Sequence, residues 1–164
     1  MYPAVCGWLQ RFLQGRHRKA EVSVYDASQK SLVRLIEERS LYHKLPTEWH
    51  SWDIHVDIVG FIKTKATTTL AFVECKNEAI KLQHLSQILG YSRVARPAYS
   101  IIIAPQGPAG MVTSLLKTYG RLDVLHYHWR KGKLPRSVTV GRWDEAAGCL
   151  DLHDLIIGDE NVWR

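Results

Sequence analysis

The sequence predicts an α/β domain with a mixed central sheet flanked by helices. Three features carry that prediction. Residues 52–62 and 69–75 read as two strands around a polar turn at 63–68. A helical pattern follows over 78–94, with Pro97 soon after its end. The wholly apolar stretch 100–104 then reads as a buried strand, and helix and strand patterns recur after it. Hairpin, helix, strand, helix, strand implies a sheet covered on both faces.

In chain order, an amphipathic stretch over 5–13 runs into the basic Arg16-His17-Arg18-Lys19. Asp26 or Ser28 then caps a helix over 29–39, whose apolar face is Leu32, Val33, Leu35 and Ile36. After the hairpin, the 78–94 helix and the 100–104 strand, residues 110–119 suit a helix and 122–127 a strand. Residues 137–143 suit one more strand, and the pattern carries no assignment beyond it.

Length and composition bound the rest. At 164 residues, the chain is expected to form a single domain over 1–164. A chain this long buries roughly 70% of its unfolded surface, enough for one core without staples. With 46% hydrophobic, 23% charged and 10% aromatic residues, it is no disordered, fibrous or coiled-coil sequence. Cys6, Cys75 and Cys149 are too few and too scattered for a disulfide framework, so a reducing cytoplasm is expected. The longest uncharged run, 97–116, contains Pro105, Gly107, Pro108 and Gly110, which argues against a spanning helix. No secretory signal is visible either, so a soluble intracellular protein with no membrane partner is expected. A net charge of +6 favours an anionic partner.

The chemistry centres on the hairpin. Centred between Lys65 and Ala66, it sets Phe61 against Leu70, Val59 against Phe72 and Asp57 against Glu74. By the period of two, these six side chains share one face, and Lys76 follows on it. Val56, Ile58, Val73 and Cys75 take the other. Opposed residues stand about 5 Å apart at Cβ, so two carboxylates and an ammonium gather at the end of an apolar strand pair. Adjacent carboxylates cannot both ionise cheaply. A hard divalent cation such as Mg²⁺ relieves the repulsion and activates water. Lys76 would orient or deprotonate that water, or neutralise charge on a phosphate. A plain salt-bridged pair at a strand edge is the alternative.

The run Trp52-Asp-Ile-His-Val-Asp-Ile-Val-Gly60, followed by Phe72-Val-Glu-Cys-Lys76, resembles the core of the PD-(D/E)XK phosphodiesterase superfamily, the restriction-endonuclease-like fold. The resemblance covers residues 52–104. It implies metal-dependent cleavage of nucleic acid, with Asp57, Glu74 and Lys76 catalytic. Asp57, Glu74 and the backbone carbonyl of Cys75 would hold Mg²⁺, and Mn²⁺ would substitute. Gln87-Ile-Leu-Gly-Tyr91 matches a Q-x-x-x-Y element that some branches carry on the next helix. At i and i+4, Gln87 and Tyr91 share a helix face and would orient the lysine or contact phosphate. Several branches also place an acid on the first helix, facing the metal. Here the inward phase of the 29–39 helix holds Gln29, with Glu37 and Glu38 late in it. Either the metal shell differs, or one of these glutamates reaches it, or the site is partly degraded.

Other signals are weaker. Trp129-Arg130-Lys131-Gly132-Lys133, with Arg136 and Arg142, suits phosphates and base stacking, or else a solvated hairpin turn. His126, His128, Cys149 and His153 match no zinc-site spacing and read as structural. His55 precedes Asp57 on its face, near Lys76, and reads as a bystander. The expected function is therefore a Mg²⁺-dependent deoxyribonuclease with DNA as partner. The alternatives are an inactive DNA-binding module of the same fold, or a homodimeric Holliday-junction resolvase.

Overall fold

The computed structural model describes residues 1–156, with Arg130 described in its backbone alone. Four helices flank one mixed sheet of seven strands among them. The elements are α1 (Tyr2–Arg16), β1 (Glu21–Asp26), α2 (Leu32–Glu38), β2 (Ile58–Lys63), β3 (Thr68–Cys75) and α3 (Leu82–Ala95). They continue with β4 (Tyr99–Ala104), α4 (Gly110–Thr113), β5 (His126–Arg130), β6 (Lys133–Asp144) and β7 (Cys149–Ile156). The strand order is β1-β2-β3-β4-β6-β5, with β7 paired to the far half of β6. β3, β4 and β6 are parallel, so their carboxyl ends share one pole of the sheet. The other pole holds the β2–β3 turn and the β5–β6 hairpin.

Both faces are covered, as the pattern requires. On one, Val5, Leu9 and Leu13 of α1 repeat at four-residue spacing against Ile58, Ile62, Ala71, Val73 and Cys75. The approach is close: a Cβ on Gly60 would stand 2.7 Å from Leu13 Cδ1 and 3.3 Å from the Cβ of Ala71. On the other, α2, α3 and α4 bury Val59, Phe61, Leu70, Phe72 and Ile102. The hairpin has the predicted register, Phe61 against Leu70 and Val59 against Phe72. Thr64 fixes its turn, accepting from the Ala66 and Thr67 amides through Oγ1.

Several local expectations are corrected. β1 is an addition to the sequence reading; its Val22 and Val24 face α1, with Ser23 between them. α2 starts at Leu32 after Ser31, not at residue 29. Asp26 caps nothing there, because its Oδ1 accepts from the Ser28 amide and hydroxyl in a tight turn. Residues 52–57 form no strand. Their Trp52, Ile54 and Val56 are buried alternately, which mimics one. The carbonyls of Ile54 and Trp52 instead accept from the Leu32 and Val33 amides, satisfying two of the orphan donors of α2.

Further on, α3 begins at Leu82, not residue 78, because Ile80 is tied by its backbone to Gly107 and Ala109. α4 continues into a π-helical turn over Ser114–Thr118, and a 3₁₀ turn at Leu122–Leu125 replaces all but the last two residues of the expected strand. The uncharged run 97–116 is divided between β4 and α4, and no described helix is long and apolar enough to cross a membrane.

Candidate functional site

The site forms where β2 leaves the ladder and β3 does not. Its last pair is Ile58 with Val73, so Asp57 stands at a bend just outside. The Cys75 amide, released from β2, donates to Asp57 Oδ2 at 2.8 Å. Tyr2 Oη on α1 donates to Asp57 Oδ1 at 3.1 Å. The single-face expectation is thereby corrected. Asp57 is held from the α1 side and Glu74 from the α3 side. The same bend puts Val56 in the core under α2 and α3, not against α1.

Glu74 is 3% exposed. Lys76 Nζ donates to its Oε1 at 2.7 Å, and Gln87 Nε2 to the same oxygen at 3.2 Å. Lys76 Nζ also donates to Gln87 Oε1 at 3.3 Å, closing a triangle. The Lys76 amide bonds the Ile103 carbonyl at 2.8 Å, which pins the lysine to the end of the β3–β4 ladder. Burial raises the pKa of Glu74, outweighing the pull of its Lys76 hydrogen bond, and the charge of Asp57 adds to the rise. Burial and Asp57 hold the Tyr2 phenol protonated, with its pKa raised to about 12, so it remains a donor across the working pH range.

This donor set bears comparison with the needs of a divalent cation. Glu74 Oε2 is buried and has no hydrogen-bond partner among the described residues. A buried carboxylate oxygen in that state is costly, and a hard cation is a fitting partner for it. Among the described residues no group of three or more His, Cys, Asp and Glu side chains is placed to hold a metal. Two carboxylates with waters still fit Mg²⁺, which keeps much of its hydration. The Cys75 thiol lies in the core under α1, its pKa pushed up by burial, so it faces away from Glu74.

The remaining predicted residues fall into two groups. Gln87 joins the carboxylates, whereas Tyr91 packs half-buried against the core, one helical turn on. Glu37 and Glu38 are exposed at the end of α2, with Glu38 paired to Lys30. The first helix in the chain is α1, which carries no acid and presents Tyr2 to the site. His55 is exposed beside Asp53 and does not face Lys76, because the chain has left the sheet there. Lys131 and Lys133 lie at the tip of the β5–β6 hairpin, where Gly132 takes a positive φ of 69°. That tip is at the opposite pole from Glu74. Arg130 lies in the same hairpin, and its side chain is outside the described residues.

Two residues join the site that sequence reasoning does not supply. Tyr2 is 55 positions from Asp57, and no local pattern announces it. His84, three residues before Gln87 on α3, lies near Lys76; burial first, then the Lys76 charge, lowers its pKa. That i, i+3 spacing is a legible signal. Compared with family models, curated proteins and solved structures, the chain gives no match to any of the three.

Proposed function

We propose that this chain is a Mg²⁺-dependent phosphodiesterase that hydrolyses DNA, with a restriction-endonuclease-like core. The observation that carries the reading is the buried Glu74 Oε2 beside Asp57, without a hydrogen-bond partner among the described residues, in a cluster with Lys76 and Gln87. Asp57, Glu74 and the Cys75 carbonyl would hold the cation, with Mn²⁺ as its substitute. The bound metal would supply an activated water and charge neutralisation at the phosphoryl oxygens.

The protein's own groups do the rest. Tyr2 and the Cys75 amide orient Asp57. Gln87 bridges Lys76 and Glu74, so the ammonium is held over the carboxylate and not left to solvent. From there Lys76 orients the attacking water or meets charge growing on the phosphate. The test incubates purified protein with linear duplex, single-stranded and four-way-junction DNA, in Mg²⁺, in Mn²⁺ and in chelator. Cleavage with either metal and none with chelator supports the reading; binding without cleavage under every condition favours an inactive DNA-binding module.

A further inference from the structure

At the pole opposite the carboxylates, a cleft of about 620 Å³ opens between the end of α1 and the β2–β3 turn. Arg16, His17, Arg18 and Lys19 line one wall, and Thr64 and Lys65 the other. The side chains of Arg16, Arg18, Lys19 and Lys65 are exposed, and among the described residues none of them pairs with a carboxylate. Glu21, the acid at this end of β1, is already paired with Lys63.

The wall is ordered. The Arg16 guanidinium sits 5.0 Å over the Phe12 ring, and the His17 ring is bonded to Tyr99 Oη at 2.9 Å. Unpaired cations around a concavity concentrate anions. Among the described residues, none of the exposed large apolar side chains lines it, so no apolar wedge for entering a lipid surface is found there.

We propose that this cleft binds the phosphate backbone of DNA, remote from the cut made at the carboxylate pole. The inference rests on the phosphodiesterase reading for its substrate. The eight residues of β3 separate the two poles by about 23 Å at ~3.3 Å per residue. At 3.4 Å per base pair, that places the cleft roughly seven base pairs from the cut. Lys131 and Lys133 sit at the same pole, on the far side of the sheet. The cleft would then give grip and reach without taking part in the chemistry.

The test measures anisotropy of labelled 6- and 20-base-pair duplexes in chelator, with salt as the variable. The proteins are wild type, Glu74→Gln and the triple variant Arg18→Ala/Lys19→Ala/Lys65→Ala, whose exposed side chains leave the fold intact by thermal melt. The triple variant should bind the 20-mer more weakly, its log–log salt slope reduced by about 0.9 for each phosphate no longer neutralised. Its affinity for the 6-mer, too short to span both poles, should change least, and Glu74→Gln should keep the wild-type slope. An unchanged slope on the 20-mer in the triple variant overturns the proposal and leaves the carboxylate reading standing. Cleft-dependent binding by a protein that cuts nothing overturns that reading and keeps the cleft. No DNA binding by the wild type, or cleft-dependent binding to phosphatidylserine vesicles alone, overturns the proposal.

Discussion

The two poles of this sheet handle charge in opposite ways. At the carboxylate pole, Glu74 is buried, its acid constant is displaced and its neighbours are shared among Lys76, Gln87 and Asp57. At the basic pole, Arg18, Lys19 and Lys65 are exposed and no carboxylate among the described residues pairs with them. Burial makes each charge sensitive to one atom of its surroundings, which is what positioned chemistry needs. Exposure makes charges interchangeable and screened by salt, which suits a grip on a repeating polymer. A single substitution should therefore be severe at one pole and graded at the other.

The largest effect is expected at the carboxylates. Asp57→Ala and Glu74→Ala should each reduce Mg²⁺-dependent cleavage to the level seen in chelator while leaving DNA affinity within about twofold. Gel assays beside anisotropy read both quantities, and full cleavage by either variant breaks the contrast. Next comes Lys76→Ala, expected to lower turnover ~10²–10⁴-fold with little change in the Mg²⁺ concentration required. Lys76→Arg should rescue poorly, because a planar, always-charged group cannot act as a base. Wild-type rates in Lys76→Arg would leave the lysine a charge and no more.

Smaller effects are expected from the hairpin and from pH. Replacing Arg130, Lys131 and Lys133 with Ala should weaken binding alike for all sequences, lowering the salt slope by about 0.9 per phosphate on duplex or ~0.7 on single strands. An unchanged slope would mark the hairpin as a solvated turn. The pH prediction concerns metal-free stability. The pKa of Glu74 is raised on folding, so its favourable contribution holds below the unfolded value and is lost as pH rises through the folded one. Glu74→Gln, which mimics the protonated state, should thus melt higher than wild type at pH 7, the gap closing toward pH 4. A gap that does not change with pH would show that the carboxylate is not held against its burial.

How far the sequence is legible depends on distance along the chain. The hairpin register follows from Lys65 and Ala66 at its centre, and Gln87 follows from helical phase on the next element. Tyr2 does not, because a phenol reaching 55 residues onward leaves no periodic trace. The 52–57 segment misleads because burial alternates in it as in a strand, while its carbonyls serve α2. β1 has no fully buried residue and its outer edge pairs with no described strand, so its pattern is faint. Patterning reports which side chains are buried, not which backbone they lean on.

Gly60 gives α1 a mechanical role. The helix begins at Tyr2, on Asp57, and ends at Arg16, on the basic cleft, a strut about 22 Å long that touches both poles. It rides directly on the sheet because Gly60 has no side chain beneath Leu13. Gly60→Ala would set a methyl 2.7 Å from Leu13 Cδ1 and lift the strut near its far end. Cleavage and DNA affinity should then decline together in a variant that alters neither a carboxylate nor a cation, with kinetics and anisotropy on the same preparation as the readout. On the proposed reading, the two ends of one helix would serve cleavage and grip, and Gly60 would set how closely that helix lies on the sheet.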